Sequence, residues 1–435
     1  MSIRPARQAV VTIVIGIACA VLGCVSGGGA MAAQEGDVAR PWVRETEEGI
    51  QAGNGLVGLA FARRGNAILL RSVTREPGGR ELLTGSRETD SLWELEFATA
   101  AGERITLSSA DAPGATFDAR AGDDAEITIR WPQVTDGGSR VGVEVRVVIK
   151  RGDPVTYWSL RLANADETLR PWRVTFPIIA NVDGIPGTKL AFPTGWGIVY
   201  DDALHAGEIQ GTYPSMTPAM QFMACWQRAG GVYFAAHDPA AAHKQLICTP
   251  DVADGRLRLA VVNYPAGMGR PVREWTLPYQ AAVGVFPGNW YDAARLHRAW
   301  AIEHAPWMAK GELLTRRSTP KWLKDIDIWC LGGGGPAEAV EPAKRFAEYF
   351  GVPTAVHWYN WHQIPFDDHY PEYFPTKAGF AQGVAELQAA GVRVMPYING
   401  RLWDPRTETW TSENAEAACA KDEHMKRYEE TYGSG

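Results

Sequence analysis

One stretch restricts the possible folds of this chain more than any other: residues 354–404, TAVHWYNWHQIPFDDHYPEYFPTKAGFAQGVAELQAAGVRVMPYINGRLWD. It reads as strand, loop, helix, strand. Thr354–Tyr359 is a short apolar run that opens into Trp358, Trp361, His362, Asp367, Asp368 and Tyr370. Phe380, Val384 and Leu387 then recur at helical spacing, and Gly391 closes that helix. Val392–Ile398 is the next apolar run, leading into Asn399, Arg401, Trp403 and Asp404. Twice, a hydrophobic strand ends in aromatic, amide and charged side chains. Parallel α/β folds place their sites at such strand ends.

The surrounding sequence extends this pattern. Asp325–Leu331 is an earlier strand, Gly332–Gly335 a hinge, and Pro336 or Pro342 a first-turn proline opening a helix to Phe350. The result is βαβαβ, which predicts a parallel sheet with right-handed crossovers, as in a barrel or a doubly wound sheet. The glycine run lies in no GxGxxG or GK[ST] frame, so it gives no phosphate-binding signal. About 115 residues follow Trp322, whereas a complete (β/α)8 barrel needs about 250. The expectation is the opening of a TIM barrel, truncated after about three strands.

Upstream the periodicity is different. Between residue 50 and about 285, short β-branched or alternating runs follow one another: Leu56–Phe61, Ala67–Val73, Leu92–Phe97, Glu126–Trp131, Val141–Ile149, Thr156–Leu162, Trp172–Ile179, Gly231–His237 and Leu257–Val262. Turn clusters such as Pro77-Gly78-Gly79 and Asp136-Gly137-Gly138 separate them, which predicts a large antiparallel β-sandwich. Tyr291, Ala294, Leu296 and Trp300 then recur at helical spacing up to Pro306, as expected of a linker helix. The expected organisation is therefore 1–35 leader and tether, 36–288 sandwich, 289–319 linker helix and 320–435 α/β domain.

The leader carries Arg4 and Arg7 ahead of an apolar run from Ala9 to Leu22, too short to span a bilayer comfortably. Val21-Leu22-Gly23-Cys24 resembles a bacterial lipobox, which would leave Cys24 lipidated and the membrane contacted through that anchor alone. Ala30-Met31-Ala32 offers an ordinary signal-peptidase site instead. Both readings export the protein to a periplasmic or cell-surface location. Cys225, Cys248, Cys330 and Cys419 remain after processing and make no zinc motif. A Cys225–Cys248 disulfide is permitted by an exported compartment, although spacing alone does not indicate it.

Net charge is −7 with no basic block, so a nucleic-acid partner has no electrostatic support. The compositional outlier is 17 Trp in 435 residues. Indole faces fill cores, and they also stack on the apolar C–H faces of sugars. A carbohydrate site pairs such platforms with amide, guanidinium and carboxylate partners. Trp358, Trp361, His362, Asp367, Asp368, Tyr397, Asn399, Arg401, Trp403 and Asp404 supply that set. His357 is a further candidate for a hydroxyl contact. No spacing such as HExxH makes these histidines metal ligands, and no cofactor is expected.

The segments HWYNWHQ, FDDHYPEYFP and GVRVMPYINGRLWD, with GNWYDAARLHRAWA and MQFMACWQRAGGVYFAAHD upstream, resemble the bacterial family called domain of unknown function 6259. Their plan is similar to that of large α-galactosidase and endo-α-N-acetylgalactosaminidase-like glycoside hydrolases. That resemblance implies a galactose-mutarotase-like sandwich, a carbohydrate-active TIM barrel and retaining chemistry on α-linked glycans. It also implies catalytic carboxylates after later strands, around the fourth and sixth, so the catalytic residues of this chain are unassigned. Three functions are open: a glycoside hydrolase-like protein, a non-catalytic glycan-binding surface lipoprotein, or a sugar-ring-opening isomerase using His205 or His237.

Overall fold

The computed structural model describes residues 13–14, 39–65, 67–134, 141–164, 169–228, 230–309, 311, 315–366, 368–422 and 424–431. Cys24 and Asp367 lie outside them, as does most of the leader. Two compact units result, one of residues 30–311 and one comprising 312–435 together with 1–29.

The first unit is built from three antiparallel sheets of ten, six and five strands. Every apolar run picked out between residues 56 and 262 falls on one of its strands. The Val141–Ile149 strand shows why. Val141, Val143, Val145, Val147 and Ile149 are at most 3% exposed, while Glu144 and Arg146 face outward. Period-two alternation buries one face of such a strand and wets the other. A single core spans all three sheets, with Trp93 set edge-on to Trp131 at 5.4 Å and Trp158 packed on Phe61 at 5.6 Å.

Gly230–His237 departs from the alternation because both of its faces are buried. Val232, Phe234 and Ala236 enter the inter-sheet core. Tyr233 and Ala235 face the other way, into a second cluster with Phe222, Trp226 and Ala293. The cover on that side is helix α1, Trp290–His304. Asn289 caps it by accepting from the Tyr291 N–H at 2.9 Å, and Asp292 accepts from the Asn289 N–H at 3.0 Å. That reciprocal pair satisfies two of the donors a helix start leaves open. Expected as a linker, α1 is in fact part of the first unit, because Ala293, His297 and Trp300 are buried at the sheet.

In the second unit, strands β1 (Ile328–Gly333), β2 (Thr354–Tyr359) and β3 (Arg393–Pro396) run parallel in that order. Ile13–Val14 pairs antiparallel beside β1. Helix α2 (Pro336–Phe350) joins β1 to β2, and α3 (Phe380–Ala389) joins β2 to β3. The proline opening α2 is Pro336, at its first position, while Pro342 lies inside the helix. Gly391, at φ +80°, follows the end of α3 in the left-handed region that favours glycine. Within α3, a side chain on Gly383 would meet Val340 at 2.9 Å and the Trp358 ring at 3.1 Å, so glycine is what lets α3 lie close against α2 and β2. Strand β1 begins three residues later than its apolar run suggests, and β3 is trimmed to four residues.

Candidate functional site

Strand parity decides which side chains the second unit offers to a ligand. Cys330, Val356 and Trp358 point toward α2 and α3 and form the core with Val340, Ala343 and Leu387. Leu331, His357, Tyr359 and Met395 occupy the alternate positions, paired across the sheet as Leu331 with His357, Gly333 with Tyr359, and His357 with Met395. On that face Leu331 and Met395 are 41% and 44% exposed.

At the C-terminal ends of the strands this open face gathers an aromatic group. Tyr359 and Tyr397 stack at 4.4 Å between centroids and 16° between planes. Phe366 packs against both, at 5.9 and 5.6 Å, and His357 lies 4.7 Å from Tyr359 and 5.8 Å from Tyr397. Partial burial lowers the His357 pKa and favours its neutral ring. His357, Tyr359 and Tyr397 are half-buried and Phe366 is exposed, so ring surface remains at the strand ends. Of this group, Tyr397 and His357 are sequence candidates, whereas Tyr359 and Phe366 are not. The available signal was the period of two, because residues flanking a core-facing Trp358 must face the opposite way.

Several other candidates serve packing instead. Trp358 is fully buried and donates its indole N–H to the Gly334 carbonyl at 3.0 Å. Trp361 is 6% exposed, stacks between Tyr373 and Phe380, and donates to the Tyr397 carbonyl at 2.7 Å. His362 is also buried, with Nδ1 2.8 Å from the Ile364 carbonyl, an arrangement that makes Nδ1 the protonated nitrogen. These three lie beneath the mouth, which corrects the expectation that every residue after a strand end reaches it.

The loop after β3 is a closed network. Asn399 Oδ1 accepts from the main-chain N–H groups of Arg401 and Leu402 at 2.9 and 3.0 Å, an Asx turn. Arg401 forms a two-pronged pair with Glu430. Trp403 is 37% exposed and donates to Thr409 Oγ1 at 3.3 Å. Asp404 pairs with Arg406: Oδ1 accepts from Nε at 3.0 Å and Oδ2 from a terminal nitrogen at 2.7 Å. Oδ2 also accepts from the His369 main-chain N–H at 2.9 Å. Asp368 binds the same Arg406 guanidinium and lies 3.2 Å from His369 Nδ1. Asp368, His369 and Asp404 bring potential metal-ligand atoms within 4.8 Å of one another. The positive charge such a cluster would recruit is already supplied by Arg406.

The histidines of the first unit are divided. His205 is half-exposed on a short 3-10 turn with Nδ1 2.8 Å from Asp202. His237 is buried under α1, stacked on Trp300 at 4.8 Å and bonded through Nε2 to Tyr233 Oη at 2.9 Å. Tyr233 Oη also lies 3.2 Å from His297 Nδ1. Burial pushes His237 down to about 3 and His297 to about 4. A ring buried among aromatics and held neutral is a packing group.

Residues 275–435 match the family model described as Domain of unknown function (DUF6259). The chain is 30% identical over 385 residues to a Bacteroides thetaiotaomicron protein described as "Putative glycoside hydrolase", covering 87% of this chain and 55% of that one. A Monosiga brevicollis protein, "Putative glycoside hydrolase 22789", is 30% identical over 375 residues, covering 76% of this chain and 30% of that one. The chain thus spans about half the length of the first relative and under a third of the second. Among solved structures, the α-N-acetylgalactosaminidase NagBb of Bifidobacterium bifidum in complex with GalNAc superposes at a TM-score of 0.57 with 14% identity. That match covers 82% of this chain and 61% of that one. At that identity the likeness is one of fold.

Proposed function

We propose that this chain is the glycan-binding part of an exported glycoside hydrolase-like protein acting on α-linked sugars, with its parallel βαβαβ unit as the opening of a TIM barrel. The carrying observation is the Tyr359–Tyr397 stack, flanked by Phe366 and His357 at the ends of parallel strands. Aromatic faces of this kind match the C–H face of a hexose, and a neutral histidine supplies a hydroxyl partner. The glycoside hydrolase names of both curated relatives and the fold of an α-N-acetylgalactosaminidase support the sugar class.

Hydrolysis itself needs two carboxyl groups about 5–9 Å apart, free to reach the bond. Asp368 and Asp404 are both held by Arg406, so they brace the loop and the reading assigns the catalytic pair elsewhere. Binding is therefore the property to measure. Titration of α-galactosides and α-N-acetylgalactosaminides by ligand-observed NMR should show contact with the chain. Tyr359→Ala and Tyr397→Ala should each weaken it by about 1–2 kcal/mol through lost stacking area. Unchanged binding in both variants, with native circular dichroism, would exclude this mouth. Export belongs to the same reading, and the mature N-terminus in the native host checks it: a diacylated Cys24 is expected, and intact Met1 on most of the pool would refute export.

A further inference from the structure

The two tyrosines of the aromatic stack are held in different ways. Tyr359 ends β2 in register with Gly333 of β1, so the ladder fixes it. Tyr397 is the first residue past β3, whose pairing with β2 ends at Trp358 with Pro396. Its main-chain N–H donates to the Trp358 carbonyl at 2.9 Å. Its carbonyl lies past the paired residues, and there the Trp361 indole donates to it through Nε1 at 2.7 Å. Two residues on, the main chain is gripped again: Tyr373 Oη accepts from the Asn399 N–H and donates to the Asn399 carbonyl at 3.3 Å. Trp361 and Tyr373 are both buried and stack on one another at 5.7 Å and 19°. Two rings from the chain that follows β2 thus hold the segment that carries Tyr397.

The grip is itself braced. Asn360, at φ +55°, turns the chain between Tyr359 in the mouth and Trp361 beneath it, in the left-handed region that asparagine tolerates. Main-chain bonds close the loop around Trp361: the Lys377 N–H donates to the Trp361 carbonyl at 2.9 Å, and the Gln363 N–H to the Pro375 carbonyl at 3.1 Å. Lys377 Nζ donates to the Asn360 carbonyl at 2.5 Å. Phe380 of α3 backs the indole at 5.2 Å. Main chain and ring are both held, so the indole N–H has a set direction, and the Tyr397 carbonyl is its acceptor. A phenyl ring at position 361 would keep the stacking and lose that donor.

We propose that Trp361 is a positioning residue of the mouth: its indole N–H holds the Tyr397 main chain where the phenol ring stacks on Tyr359, so the platform is formed before a ligand arrives. The role in glycan binding rests on the reading above, whereas the hold on the stack does not. Trp361 touches no sugar in this proposal and acts through Tyr397 alone. A ligand that needs the stacked platform binds with an affinity reduced by the fraction of molecules in which the platform is formed. Loss of a buried hydrogen bond to the segment past β3 lowers that fraction. The ladder keeps Tyr359 in place meanwhile, so the change falls on Tyr397.

The full chain is made with fluorotyrosine at position 397 and read by fluorine NMR, with a Tyr359→Ala protein marking the resonance of an unstacked ring. Trp361→Phe should move the parent resonance most of the way to that mark. It should also weaken binding of α-galactosides or α-N-acetylgalactosaminides about five- to tenfold, with native circular dichroism. Benzothienylalanine in place of Trp361 keeps the shape of the indole and lacks the N–H. It should give the same two changes, and it serves as the test where Trp361→Phe does not fold. A role in packing alone would lower the denaturation midpoint of residues 312–435 and leave the Tyr397 resonance and the affinity of the folded protein at parent values. That result would overturn the proposal. A benzothienylalanine protein that does not fold would overturn it too, since the N–H would then hold the whole unit and not the mouth. If the parent binds neither sugar, the glycan reading falls, and the Tyr397 resonance decides the hold on the stack by itself.

Discussion

In the unit of residues 30–311 the strands Phe222–Gln227 and Gly230–His237 of the ten-stranded sheet are covered on both faces, by the shared inter-sheet core on one side and by helix α1 on the other. In the second unit helices α2 and α3 cover one face of β1–β3, and the other face keeps Leu331 and Met395 more than 40% exposed. Covered sheets bury whatever polar groups they carry, and those groups must then be paired or neutral. Lys244 and Asp238 illustrate the paired case, 1% and 0% exposed, 2.7 Å apart and completed by Gln221. His237 and His297 illustrate the neutral one. On the half-covered sheet, by contrast, His357, Tyr359 and Tyr397 keep part of their surface in solvent. The covered strands use their polar chemistry within the fold, and the open face is where the proposed glycan contacts lie.

Acid should break this comparison most strongly. His237 and His297 have folded pKa values of about 3 and about 4 against an ordinary 6.5. The unfolded chain therefore binds more protons than the native one between roughly pH 6.5 and pH 3. Stability is fully present above pH 6.5 and is lost as pH falls through that window. Two groups shifted in the same direction give a loss on the order of 5 kcal/mol by pH 4. Lys150 and His304 push His237 in the same direction, while Tyr233 Oη stays neutral. Urea midpoints of the sandwich transition measured from pH 7.5 to pH 4 should fall steeply, and His297→Phe, keeping the ring on Phe222, should flatten the slope. A flat parent profile would mean that the cluster admits water and protonates without cost.

How much of this the sequence reveals depends on the same contrast. Alternating strands such as Val141–Ile149 are legible because one wet face and one dry face leave a period of two. Gly230–His237 also reads as a strand, yet nothing in it shows that Tyr233 and His237 lie beneath a helix, since α1 arrives from 60 residues downstream. The parallel unit is legible in order and type. At the proposed site, composition pointed to the stretch and parity was the missing step. Trp358 and Trp361 looked like platforms because indoles serve both roles, and the helix-facing register decided between them. Asp404 reached an unexpected partner, Arg406, because loop pairing depends on tertiary turns that leave no periodic trace.

Two tryptophans of the second unit sharpen the comparison on a smaller scale. Trp358 lies in β2 and Trp403 follows β3, and both carry the same indole, but Trp358 is fully buried while Trp403 is 37% exposed. Trp358 packs edge-on to Phe380 at 5.0 Å and closes over Gly383 and Val340. Trp358→Ala removes that area and leaves a cavity beneath α3, at a cost of about 3–5 kcal/mol. Trp403 keeps over a third of its surface in solvent, and its N–H bond to Thr409 is long at 3.3 Å. Trp403→Ala should therefore cost less, about 1–2 kcal/mol. The two variants should also separate by transition, with Trp358→Ala lowering the unfolding midpoint of residues 312–435 and leaving the sandwich midpoint unchanged. Chemical denaturation followed by hydrogen exchange on each unit resolves the two. If Trp403→Ala proved as costly as Trp358→Ala, its ring would be part of a core, and the open face would be smaller than the aromatic mouth requires.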